Sequence, residues 1–158
     1  MPSAQTNWRH CVKCEGLFFR GNSTGVCPTG GGHSEGGSAN YQLTMDEGSQ
    51  EGSQLGWRHC NKCEGFFFSD NPTTGYCPAG GGHEYKGSSN YQAVQALGPG
   101  DLPHNLPGEF VPFGFQGNWH WCHKCQGMFF AGDFTSGFCP AGGGHDHTGS
   151  SGYAMQPV

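Results

Sequence analysis

Nine cysteines and three regularly placed histidines are the residues of this 158-residue chain best suited to chemistry. They fall into three sets. The first is Cys11, Cys14, Cys27 and His33; the second is Cys60, Cys63, Cys77 and His83; the third is Cys122, Cys125, Cys139 and His145. The spacing is C-x2-C-x12-C-x5-H in the first set and C-x2-C-x13-C-x5-H in the other two. Three thiolates and one imidazole are a structural ligand set for Zn²⁺. A C-x2-C pair lets two thiolates face one ion from a single tight turn. The pattern predicts three structural zinc ions per chain. A disulfide framework is the competing reading. It leaves one thiol unpaired in every set and gives the histidine no role. Iron normally prefers four thiolates, and c-type haem needs C-x-x-C-H, whereas residues 15, 64 and 126 are Glu, Glu and Gln.

Four ligands fill a tetrahedral ion, while a catalytic zinc keeps a position open for water. No acid repeats at a general-base position in all three sets, since Glu15 and Glu64 give way to Gln126. The pattern therefore predicts no enzyme, and the metal's task is folding. Lys13, Lys62 and Lys124 sit between the paired cysteines, where an ammonium offsets the negative charge of the site. Gly16, Gly65 and Gly127 follow two positions after the second cysteine, a place that suits positive φ. The segments Cys11 to Gly16, Cys60 to Gly65 and Cys122 to Gly127 resemble the zinc knuckle of rubredoxin-like and zinc-ribbon proteins. The resemblance implies a metal-bearing turn and covers only these segments. The second half of each set, Cys-Pro-x-Gly-Gly-Gly-His, ends in histidine where a ribbon has another cysteine pair.

These ligands sit in a repeat, and repeats of this length mark tandem units. Trp8 to Cys11 reads Trp-Arg-His-Cys, as does Trp57 to Cys60, and the third copy reads Trp119-His120-Trp121-Cys122. Because Trp121 stands where His10 and His59 do, those histidines are not expected to be ligands. An aromatic cluster follows each knuckle: Leu17-Phe18-Phe19, Phe66-Phe67-Phe68 and Met128-Phe129-Phe130. Each copy closes on a tyrosine: Tyr41, Tyr91 or Tyr153. The modules run over residues 7–42, 56–92 and 118–154. An acidic linker spans 43–55, and a Pro-, Gly- and Phe-rich linker spans 93–117. No stretch has helical periodicity. Short strands are expected around 6–11 and 16–20, and at the matching places of the other copies. The predicted fold is small, all-β and metal-stabilised: three tandem zinc-binding β-hairpin modules joined by Gly/Pro-rich linkers. The modules form either a string of beads or a compact trefoil-like cluster.

Composition narrows the function. With 30 Gly, 10 Pro and 34% hydrophobic residues, one large apolar core is out of reach, and metal must supply what the core lacks. The net charge of −5 shows no clustered positive surface for a phosphate backbone, so no nucleic acid is expected. No apolar run is long enough to insert in a membrane as a helix. Met1 to Gln5 lacks the basic start of a signal peptide. Metal-thiolate sites suit reducing surroundings, and the Lys-poor aromatic composition suits an extracellular surface. In strand geometry one phenylalanine of each pair packs inward. The other, with Tyr41, Tyr91 and Tyr153, is expected to form an exposed aromatic face. The leading expectation is a non-enzymatic structural or interaction module that self-assembles, using Phe110, Phe113 and Phe115 of the second linker. The alternative is a multivalent polysaccharide-binding protein with one aromatic site per repeat.

Overall fold

A computed structural model describes residues 3–21, 23–45, 53–96, 114–132, 136–150 and 152–158. Nine strands carry the fold, and no helix occurs among the described residues. Each module contributes three strands. The first gives β1 (Ser3–His10), β2 (Leu17–Phe19) and β3 (Tyr41–Met45). The second gives β4 (Ser53–His59), β5 (Phe66–Phe68) and β6 (Tyr91–Ala96). The third gives β7 (Gln116–Trp121), β8 (Met128–Phe130) and β9 (Gly152–Pro157).

The first two strands of each module form the expected hairpin, with Trp8, Trp57 and Trp119 opposite Phe19, Phe68 and Phe130. Their aromatic side chains fit a pleated, half-buried surface. The third strand is an addition to the expected hairpin. It pairs antiparallel with the first strand across a bulge, between Gln5 and Trp8, Gln54 and Trp57, and Gln116 and Trp119. At each bulge one residue takes positive φ: Asn7 (73°), Gly56 (98°) and Asn118 (69°). Asn and Gly are the residues that enter this region most readily. These strands run into the stretches read as linkers: Leu43 to Met45, Ser53 to Leu55 and Ala93 to Ala96 are strand residues.

The modules are not beads on a string. The third strands close a ring. Thr44 and Met45 of β3 pair with Gln92 and Tyr91 of β6. Val94 and Gln95 of β6 pair with Ala154 and Tyr153 of β9. Tyr41 and Gln42 of β3 pair with Pro157 and Gln156 of β9. The last strand thus returns to the first module, and a nearly closed, barrel-like sheet with pseudo-threefold symmetry results. The core lies inside this ring and is shared by all three modules. Its centre is Trp8, Trp57 and Trp119, each fully buried, with Leu17, Phe66 and Met128 around them. Each indole packs edge-on to a tyrosine of another module: Trp8 to Tyr91, Trp57 to Tyr153, Trp119 to Tyr41. This corrects the expectation that one apolar core is out of reach: a chain too glycine-rich for three separate cores pools the aromatic residues of all three modules in one.

Candidate metal centres

Each knuckle is a tight turn closed by backbone hydrogen bonds. In the first module the Glu15 amide donates to the Cys11 carbonyl at 2.8 Å, and the Cys11 amide to the Gly16 carbonyl at 2.9 Å. The residue with positive φ is Glu15 (68°), Glu64 (67°) or Gln126 (70°), not the glycine that follows. This corrects the expectation for Gly16, Gly65 and Gly127. A Cβ on those glycines would lie 3.4, 3.2 and 3.4 Å from the neighbouring cysteine Sγ, a close contact.

The turn brings four ligand atoms of each set together, within 4.8 Å of one another, with all twelve residues buried. The sets are the three named from spacing. Cys11 and Cys27 sulfurs lie 3.9 Å apart, with 3.8 and 3.9 Å for Cys60–Cys77 and Cys122–Cys139. The second cysteine sulfur lies 3.5, 3.6 and 3.5 Å from Nδ1 of His33, His83 and His145. All nine cysteines are free. A tetrahedral ion with Zn–S near ~2.3 Å and Zn–N near ~2.1 Å places its ligands about 3.5–3.8 Å apart. The donor sets fit an ion of that size.

Electrostatics point to a cation as well. Hydrogen bonding from Cys14 holds the Cys11 and Cys27 thiols down, at about 3 and about 4. Cys14 is pushed well up, because it lies against those two thiolates and is buried. The same split lowers Cys60 and Cys122 and raises Cys63 and Cys125. Burial opposes the charged form of His33, His83 and His145, but hydrogen bonds to the thiolates outweigh it and raise each to about 9. Three thiols this close do not all ionise unless a positive charge sits among them. Backbone amides add support. Those of Ser34, Glu84 and Asp146 donate to the first cysteine sulfur of their module at 3.4, 3.4 and 3.3 Å.

The surroundings repeat too. Phe18, Phe67 and Phe129 stack on His33, His83 and His145 with centroids 4.7, 4.6 and 4.7 Å apart. Lys13, Lys62 and Lys124 donate to the carbonyls of Gly30, Gly80 and Gly142, tying the knuckle to the opposite loop.

Spacing did not reveal how the three centres interlock. Nε2 of His33 donates to the carbonyl of Cys63 in the second module at 3.1 Å. His83 does the same to Cys125, and His145 to Cys14, each at 3.1 Å. Were Nδ1 to bind a metal, Nε2 alone would carry the proton, and this bond would hold the ring in its orientation. The same carbonyls are approached by Gly25, Gly75 and Gly137, where a Cβ would sit 2.1 Å away. Backbone hydrogen bonds also cross each interface: Phe19 to Glu64, Phe68 to Gln126 and Phe130 to Glu15, at 2.8, 2.9 and 2.8 Å, with longer ones of 3.4 Å from Val26 to Cys63 and from Phe138 to Cys14. Every site therefore leans on the next, and the third leans on the first.

The remaining predicted residues fare differently. Tyr41, Tyr91 and Tyr153 do not form an exposed aromatic face; they are 3, 4 and 4% exposed. Their rings belong to the shared core, and their hydroxyls donate to Gln116, Gln5 and Gln54 across module boundaries. Phe115 is half-buried beside the ring of third strands, near Leu43 and Val94. Phe110 and Phe113 lie outside the described residues. His10 and His59 bond the carboxylates of Glu15 and Glu64 at 2.7 and 2.6 Å. The counterpart is Trp121, whose Nε1 donates to Gln126 Oε1 at 3.1 Å.

No protein-family model, no curated protein and no solved structure significantly matches this chain.

Proposed function

We propose that the chain is a non-enzymatic, zinc-stabilised module that acts by binding rather than by catalysis. The observation that carries this reading is the triplicate Cys3His cluster, buried and complete with four ligands. A closed sphere leaves no position for a metal-bound water, the usual source of zinc hydrolysis. The metal supplies folding energy that a chain with few apolar residues lacks. Three equivalent units around one axis make a rigid trivalent scaffold. Self-association gains no support from the ring, because the module faces and the third strands pair within the chain.

Cobalt substitution tests the proposal. Three equivalents of Co²⁺ per chain should give the intense visible bands of tetrahedral thiolate coordination. Azide or cyanide should leave those bands unmoved, because the sphere is full. Saturation at fewer equivalents, or bands that shift with added anion, would mean an incomplete or open site and would overturn the reading.

A further inference from the structure

The three module boundaries each open to solvent in a cleft of the same make-up. One holds Tyr41, Gln116 and Phe130, with a volume of about 340 Å³. The next holds Tyr91, Gln5 and Phe19, at about 290 Å³. The last holds Tyr153, Gln54 and Phe68, at about 190 Å³. The side wall is His10 in the first and His59 in the second. In the third it is the larger Trp121, and that cleft is the smallest.

The chemistry of these clefts is consistent. No Asp, Glu, Lys or Arg lines any of them among the described residues. A cationic ligand would find no carboxylate there and an anionic one no Lys or Arg, while His10 and His59 are already bonded to Glu15 and Glu64. Phe19, Phe68 and Phe130 are only half-buried, so part of each ring remains open at the cleft. The glutamine amide is held through its oxygen. Gln54 Oε1 accepts from Tyr153 Oη at 2.7 Å and from Trp57 Nε1 at 3.0 Å. Gln116 Oε1 accepts from Tyr41 Oη at 2.6 Å and from Trp119 Nε1 at 3.1 Å. Gln5 Oε1 accepts from Tyr91 Oη. An indole N–H can only donate, so the bonded atom in the Gln54 and Gln116 amides is the oxygen. The Nε2 group is left to serve as donor in the cleft.

We infer that the three clefts are binding sites for the sugar units of a neutral polysaccharide. An aromatic ring offers a surface for the apolar face of a pyranose, and a fixed amide N–H offers a donor to its hydroxyls. Hydrolysis is not part of the assignment, because glycosidases need a pair of carboxylates flanking the bond. A polymer that spans two or more of the three sites gains avidity without new contacts. The assignment rests on the reading of the chain as a metal-held binding module.

The test is isothermal titration of the metal-loaded chain with neutral oligosaccharides of the glucan, mannan, galactan and chitin series. Zinc content is measured on the same samples. Binding is expected at three equivalents for at least one series. Gln54→Glu keeps the acceptor for Tyr153 and Trp57 but removes the donor, so it should lose one equivalent. The triple variant Gln5→Glu, Gln54→Glu, Gln116→Glu should lose all binding while keeping three zinc ions. NMR of the unaltered chain gives a second readout, with shifts expected at Phe19, Phe68 and Phe130. Absence of binding across the four series would overturn the assignment, as would shifts elsewhere or binding that survives in a zinc-loaded triple variant. Absence of zinc in the unaltered chain would instead overturn the module reading itself.

Discussion

Modules one and two bury a carboxylate against a histidine, whereas module three buries an amide against an indole. The backbone is nevertheless the same in all three. Glu15, Glu64 and Gln126 hold φ of 68, 67 and 70°. Each carbonyl accepts an amide of a neighbouring module. Each side-chain oxygen accepts from the residue before the first cysteine: His10, His59 or Trp121. The difference teaches what the position requires. It needs an acceptor to satisfy its neighbour and a side chain that tolerates a left-handed turn. The charge is dispensable when both partners change together, in line with the modest net worth of buried ion pairs.

The comparison predicts that the rest of the ring treats the three modules alike. The largest effect should come from the shared core. Trp57→Ala is expected to cost about 3–5 kcal/mol, as large aromatic deletions do. Trp119→Ala should match it in chemical denaturation of the metal-loaded chain, and Trp8→Ala should fall at the lower end of that range, because its buried indole N–H has no partner among the described residues to lose. A much smaller cost at one of them would mean that the modules fold separately.

Gly137→Ala comes next. Its φ is +67°, and the new Cβ would meet the Cys14 carbonyl at 2.1 Å. Backbone strain alone costs about 1–3 kcal/mol. Gly25→Ala and Gly75→Ala should cost the same, because the closure from third module to first equals the other two contacts. If Gly137→Ala were silent and Gly25→Ala were not, the ring would be open at that seam.

Glu15→Gln alone should be milder, at about 1 kcal/mol, because the amide oxygen still accepts from His10 Nε2 and only the charge assistance of that bond is lost. Adding His10→Trp should recover part of the loss by recreating the pair of module three. A double-mutant cycle would read a coupling of about 0.5–3 kcal/mol. Strict additivity would mean that the two side chains do not act as a pair.

The smallest effect is alkaline. Burial raises Tyr153 from the ordinary 10 to about 12. The fold favours its neutral form, so its contribution is fully present below pH 10 and is lost as pH rises through about 12. Absorbance of phenolate should show this tyrosine ionising only near pH 12, and Tyr153→Phe should remove that step. A step lost near pH 10 instead would contradict its burial.

The ligand sets were legible because thiolates and imidazoles are few and their spacing repeats. The all-β class was legible for a related reason: glycine every few residues excludes helices and leaves short aromatic runs as strands. The ring was not. Whether Tyr41 faces water or Trp119 depends on a pairing of β3 with β9, which joins residues at opposite ends of the chain. Local pattern carries no record of such a pairing. The exchange of His10 and Glu15 for Trp121 and Gln126 was visible as two separate substitutions. Only the 2.7 and 3.1 Å contacts join them into one. The same limit applies to Gly16. Its place in the turn suggests backbone freedom, but the left-handed residue is Glu15, and only the closed turn shows which of the two neighbours takes that conformation.

Native mass spectrometry during chelator titration tests the interlocked metal ring most directly. Each centre orients its histidine on the next module's cysteine, so removal of one ion should loosen its neighbours. The account predicts chains with three metals and chains with none, few intermediates, and unfolding that tracks the loss. Metals that leave one at a time from a chain that stays folded would contradict it. A metal-free chain lighter by pairs of hydrogens would contradict it more deeply, because the cysteines would then be disulfides.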